Sequence, residues 1–149
     1  FIRLTRDIAS QKDIALTKPA ALHAKFLPSL HGEAKMSSSG TGLIFLSDDA
    51  KTVKKKINKY AFSGGQKTTE EHREKGGNTE VDVSFQYLRM LFEESDEKLE
   101  EIKTKYESGE LLTGELKAIL IEKISAFLKD HQKRKQEAKK NIDKFILKN

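Results

Sequence analysis

Thr113-Gly114-Glu115-Leu116-Lys117-Ala118-Ile119-Leu120-Ile121-Glu122-Lys123-Ile124-Ser125-Ala126-Phe127-Leu128 is the stretch on which the fold class turns. Leu116, Ile119, Leu120, Ile124, Phe127 and Leu128 recur at steps of three and four, the spacing of one helix face. Thr113 is placed to cap that helix. The reading predicts one long helix over 113–147, with a buried face as far as Leu128. Beyond Lys129 only Ala138, Ile142, Phe145 and Ile146 continue the apolar pattern, so that end is expected to be half exposed.

Upstream, residues 48–109 read as several short helices. Ser47-Asp48-Asp49 supplies an N-cap and first-turn acids, and Ala50, Val53, Ile57 and Tyr60 follow at helical spacing. Thr68-x-x-Glu71 has the capping-box pattern, and that helix should stop at Gly76-Gly77. Phe85, Leu88, Leu91 and Phe92 form a further apolar stripe. Ser95-Asp96 caps a helix carrying Leu99, Ile102 and Tyr106, with Gly109 after its end. Residues 1–47 differ: they hold both prolines, Pro19 and Pro28, and short apolar runs. Ala20–Leu27 could be a strand or a helix, its length and proline flanks favouring a short strand, and Leu43–Leu46 suits a short buried strand.

Charged residues make up 34% of the 149 and the net charge is +5. The charge is unevenly spread. Residues 129–144 contain seven Lys or Arg against three acids, whereas residues 93–110 contain eight acids against three lysines. A basic end suits nucleic acid, although a solvated Lys-rich face has the same composition. The chain has no cysteine, which removes disulfides, zinc thiolates and thiol nucleophiles. His23, His31, His72 and His131 have no metal-ligand spacing, and no metal is expected. His23 and His72 read as structural. No run approaches a membrane span. The chain opens on Phe1 rather than Met, and a cut or truncated piece of a longer protein is expected.

The segment with the most chemistry is His31-Gly32-Glu33-Ala34-Lys35-Met36-Ser37-Ser38-Ser39-Gly40-Thr41-Gly42. Hydroxyls and free backbone N–H groups can hold phosphate oxygens, and Lys35 adds a point charge. The glycines would let such a loop open and close. On these residues alone a flexible linker is the commoner reading.

Lys35-Met36-Ser37-Ser38-Ser39 resembles the Lys-Met-Ser-Lys-Ser signature of class I aminoacyl-tRNA synthetases. The flanks resemble the tryptophanyl-tRNA synthetases in particular. These are Lys18-Pro19-Ala20-Ala21-Leu22-His23, Phe26-Leu27-Pro28-Ser29-Leu30-His31-Gly32 and Ile44-Phe45-Leu46-Ser47-Asp48. Asn58-Lys59-Tyr60-Ala61-Phe62-Ser63-Gly64-Gly65, Glu70-Glu71-His72-Arg73, Gly76-Gly77-Asn78, Val81-Asp82-Val83-Ser84-Phe85 and Leu112-Thr113-Gly114-Glu115-Leu116-Lys117 extend the match over nearly the whole chain. Ser38 stands where the general signature has a second lysine. A small residue there is usual in eukaryotic cytosolic members.

The resemblance implies a mainly α chain. Residues 1–47 would be the C-terminal edge of a Rossmann-like catalytic domain, carrying the ATP loop, and residues 48–149 a helical anticodon-binding domain. It implies the joining of tryptophan to ATP, used with Mg2+, and transfer to the tRNA specific for tryptophan, in the cytoplasm. Lys35 would be catalytic. Lys35, Met36, Ser37, Ser38 and Ser39 would form the ATP-binding loop, which is expected to be mobile. Gln66, Lys67 and Lys117 would read the anticodon, although Gln66-Lys67 departs from the Arg-Asp of some relatives. The His-x-Gly-His-type signature of the family is absent from this sequence, so the chain alone is expected to be inactive. A homodimer is implied for the full-length enzyme, with neither DNA nor a membrane as partner. The rival reading is a basic helical module that binds RNA or protein without ATP chemistry.

Overall fold

The computed structural model describes residues 1–11, 16–33, 36 and 40–144. The described part is mainly α. Its helices are α1 (Ile2–Ala9), α2 (Ala50–Tyr60), α3 (Thr69–Lys75), α4 (Val83–Tyr87), α5 (Asp96–Glu107) and α6 (Thr113–Lys139). A π-helical turn, Leu88–Phe92, continues α4, and a short 3-10 turn, Ile142–Lys144, follows α6.

The caps follow the polar residues that the sequence places at helix starts. The Asp49 carboxylate accepts from Thr52 N at 2.8 Å, Thr68 Oγ1 from Glu71 N at 3.1 Å, and Ser95 Oγ from Lys98 N at 3.2 Å. Each satisfies one of the amides that a helix start leaves unpaired. Gly76 and Gly109 end α3 and α5 at φ 69° and 79°, where a β-carbon is strained. At the start of α6, Thr113 is the first helical residue rather than the cap. The Glu115 carboxylate reaches back to Leu112 N at 2.7 Å, leaving the Thr113 hydroxyl for another use.

Leu116, Leu120, Ile124 and Leu128 form the buried stripe of α6, at steps of four. α2 and α4 pack on this stripe, and Val53, Ile57, Val83, Phe85, Leu88 and Tyr106 complete the core. Phe127 lies at its edge, edge-on to Phe92 and stacked on His131. Helix α2 runs antiparallel to α6. Its start lies beside Gln132, whose amide donates to Leu46 O and Asp48 O at 3.1 and 3.0 Å.

Three sequence expectations change. α6 stops at Lys139, short of residue 147; among the described residues nothing apolar packs on it after Leu128, and an unsupported helix end frays. Residues 145–149, which include Phe145 and Ile146, lie outside the described part. Leu91 leaves the predicted stripe and is exposed, because the wider π turn shifts the side chains that follow Leu88 around the axis.

The predicted strands at 20–27 and 43–46 do not form; no strand occurs among the described residues. Single backbone bonds between crossing chains replace a ladder: Leu30 N to Gly42 O, Phe62 N to Leu30 O and Val83 N to Phe62 O, at 3.0, 2.8 and 3.1 Å. Tyr87 Oη adds a bond to Pro28 O at 2.9 Å. Residues 2–9, read within the mixed zone, form α1, and Arg6 Nη1 ties it to Pro19 O at 2.8 Å.

Leu120 is fully buried between α6 and its neighbours. Leu120→Ala is expected to lower the unfolding free energy by about 2–5 kcal/mol, read from urea denaturation. A loss well under 1 kcal/mol would mean that α6 does not organise this core.

Candidate functional site

The loop Ser63-Gly64-Gly65 and the first turn of α6 are joined by one buried polar cluster. Asp82 is fully buried and caps α4, accepting from Ser84 N and Phe85 N at 2.8 and 3.2 Å. Its other oxygen accepts from Gly64 N at 2.8 Å and from the Tyr106 hydroxyl at 2.8 Å. Tyr106 Oη also lies 3.2 Å from Thr113 Oγ1, which lies 3.1 Å from Ser63 Oγ. Ser63 Oγ accepts in turn from Gly65 N at 3.0 Å. Burial and the Asp82 charge together push the Tyr106 hydroxyl up to about 12.

His72, on α3, closes the other side. Its Nδ1 lies 3.4 Å from Gln66 N and its Nε2 3.0 Å from Leu111 O. The amide donates to Nδ1 and the carbonyl accepts from Nε2, which places the ring proton on Nε2. The ring tilts against Tyr106 at 5.0 Å. The structural reading of His72 holds, and the residue fastens the 65–66 turn to the segment that precedes α6. Space here leaves room only for glycine. A β-carbon on Gly64 would run into Asn78 O, one on Gly65 into Thr113 Oγ1 and His72, and one on Gly77 into the Tyr106 ring.

A recess of about 350 Å3 opens beside this cluster, walled by Gln66, Lys67, Thr68, Leu112, Gly114 and Glu115 among others. Gln66 and Lys67 therefore do meet the first turn of α6. Lys67 is exposed. The Gln66 amide nitrogen is already spent on Gly76 O at 3.0 Å, so this side chain also braces the turn. Lys117 stands one turn further along α6, outside the walls of the recess. It is half-buried, and desolvation holds its ammonium below the usual lysine range, partly offset by the attraction of Asp82.

The second candidate segment is pinned at both ends. Ser29 N donates to Glu33 O at 3.0 Å, Gly32 turns at φ 84°, and His31 Nε2 lies 3.2 Å from Thr41 Oγ1. His31 also packs edge-on to Tyr60 at 5.2 Å. Met36 is half-buried against the core. Lys35, Ser37, Ser38 and Ser39 lie outside the described residues. Where this neck meets the helices, Phe26, His31, Phe62, Val81 and Val83 line a recess of about 590 Å3 that the sequence did not reveal.

The profile of the tRNA synthetases class I (W and Y) family matches residues 1–129. The chain belongs to this family. It is 55% identical over 147 residues to a "Tryptophan--tRNA ligase" of Sulfurisphaera tokodaii, covering 97% of this chain and 38% of that protein. It is 51% identical over 149 residues to the human "Tryptophan--tRNA ligase, cytoplasmic", covering 99% and 31%. The crystal structure of a tryptophanyl-tRNA synthetase from Aeropyrum pernix superposes with a TM-score of 0.86 at 37% identity, over 93% of this chain and 38% of that one. The family member described here thus spans less than two-fifths of the length of these relatives. Archaeal and animal ligases match it alike, so the likeness is wider than the eukaryotic members. Among its described residues no helix is long and apolar enough to cross a membrane, and no three His, Asp or Glu side chains gather into a metal site.

Burial also pushes the Tyr87 hydroxyl up to about 12. Unfolding returns Tyr87 and Tyr106 to a pKa of about 10. Between pH 10 and 12 the unfolded state therefore binds fewer protons, and stability falls as pH rises. Tyrosinate absorbance should show two groups titrating near 12. Tyr106→Phe should remove one of them, and a missing high-pH step would contradict the buried placement.

Proposed function

We propose that this chain supplies the ATP loop and the anticodon-reading domain of a tryptophan–tRNA ligase. In this reading residues 1–47 are the tail of the catalytic domain and residues 48–149 the helical anticodon-binding domain. The observation that carries it is the lock between Ser63–Gly65 and the first turn of α6, which holds Lys67 and Lys117 on one rigid frame. An anticodon is single-stranded and can be read on its base edges by such a frame. Lys117 is a three-donor ammonium already stripped of part of its hydration. A hydrogen bond from it to a base acceptor is therefore stronger than one from a fully hydrated lysine. Lys67 and Gln66 would approach from the recess, Gln66 chiefly through its carbonyl.

In the adenylation reaction, negative charge grows on the departing pyrophosphate, and donors fixed nearby stabilise that charge most in the transition state. Lys35 is assigned the electrostatic role, Ser37 and Ser39 the phosphate contacts, and Met36 the placing of the adenosine end through its backbone. Mg2+ would accompany ATP in the full enzyme. Exposed Phe26, Phe62 and Val81 line one apolar recess suited to the remainder of the catalytic domain. The reading places the enzyme in the cytoplasm as a homodimer.

The test is binding of labelled tRNA specific for tryptophan, beside the same tRNA with a changed anticodon, at two salt concentrations. Tighter binding of the intact anticodon is expected. Lys117→Ala should weaken it by about 1–3 kcal/mol, and unchanged affinity would refute the placement. Equal, salt-sensitive binding of both RNAs would favour the basic RNA-binding module instead. The chain alone should not charge tRNA, and measurable turnover would overturn that division of labour.

A further inference from the structure

Beyond Leu128 helix α6 has no core to serve, yet it runs on for eleven residues to Lys139 as an exposed rod. Its charges are sorted. At about 100° per residue, Lys129, Lys133 and Lys140 fall within about 40° of one another. Lys135 and Lys139 lie on the adjoining side, which prolongs the line of Leu128 past the edge of the core. Asp130, Arg134 and Glu137 lie opposite Lys135 and Lys139, with Glu137 about 40° from Lys133, and Arg134 pairs with Asp130 at 3.0 Å. All five lysines are exposed, and none makes an ion pair among the described residues.

The lysine side is the one that carries Gln132, which bonds the start of α2. α2 has five lysines and no acid. Lys51, Lys54, Lys55 and Lys59 are exposed, and Lys56 alone is paired, with Asp48 at 2.5 Å. The lysines of the outer face of α2 and of the free end of α6 therefore lie on either side of one junction, where Asp48, paired with Lys56, and Asp49, the cap of α2, are the acids beside Lys129 and Gln132.

We infer that the lysine side of α6, centred on Lys129, Lys133, Lys135, Lys139 and Lys140, grips the phosphate backbone of a base-paired stem of the same RNA whose single-stranded loop meets the start of α6. The inference rests on the anticodon reading above. From Lys117 to the lysines at 133–140 is roughly 24–35 Å along the axis, at about 1.5 Å per residue. One straight helix would then touch an RNA at two separated places. Base edges are read at its start. Phosphates are held at its far end, where contacts fix orientation without carrying sequence.

The experiment uses this chain with Lys133→Gln, Lys135→Gln and Lys140→Gln combined, glutamine being a comparable helix former. A matched control combines Lys98→Gln, Lys103→Gln and Lys105→Gln on α5. Affinity for tRNA specific for tryptophan, and for its anticodon variant, is followed from 50 to 200 mM salt, with circular dichroism confirming an intact helix. Each lysine that neutralises a phosphate contributes about 0.9 to the slope of log K against log salt. The α6 variant should lose about 2 to 3 of that slope while keeping the preference for the intact anticodon, and the α5 control should lose almost none. An unchanged slope, or an equal loss in the control, overturns the proposal. A lost slope in a chain that never distinguished the two anticodons would sink the anticodon reading and leave the phosphate grip standing.

Discussion

The fold is organised around the carboxylate of Asp82. It has no contact with solvent and accepts from three backbone amides and one phenol. A buried acceptor of this kind costs free energy unless it is satisfied, and here its four donors serve three different tasks. Ser84 and Phe85 start α4, Gly64 fixes the loop before the recess, and Tyr106 brings in α5 and, through Thr113, the beginning of α6. The apolar stripe of α6 sets the helices side by side. Asp82 sets their register at the end where the proposed recognition takes place.

The helical part was largely legible because its signals are local. Asp49, Thr68 and Ser95 announce helix starts and Gly76 and Gly109 announce ends, each within four residues of what it controls. The buried stripe of α6 followed from spacing alone. Leu91 was missed because of a local π turn, and two other errors concern long-range partners. Ala20–Leu27 has strand-like composition but no neighbouring strand to pair with among the described residues. Thr113 looks like a cap until Ser63 and Tyr106 claim its hydroxyl from far along the chain.

The recognition of Gln66, Lys67 and Lys117 as a set came from resemblance, and the spacing of the residues would not have supplied it. Nor did the sequence indicate that Gln66 spends its amide group on Gly76 or that Lys117 is half desolvated. Tyr106 could be read from the sequence only as one more apolar position on α5. Its hydroxyl acquires a role because Gly77 lets backbone lie flat against the ring and Gly64 lets Asp82 approach.

The backbone relay from Gly42 through Leu30 to Phe62 and Val83 has a mechanical consequence. Leu30 belongs to the neck of the Lys35 segment, and Phe62 is the residue from which Ser63–Gly65 departs. One backbone hydrogen bond therefore links the two regions to which different chemistry has been assigned. A tug on the neck that lengthens the Leu30–Phe62 bond reaches the glycine turn without passing through any side chain. The joint is backed on either side, by the bond from Tyr87 Oη to Pro28 O and by the edge contact of His31 with Tyr60, so the neck cannot leave the helices without also exposing Leu30.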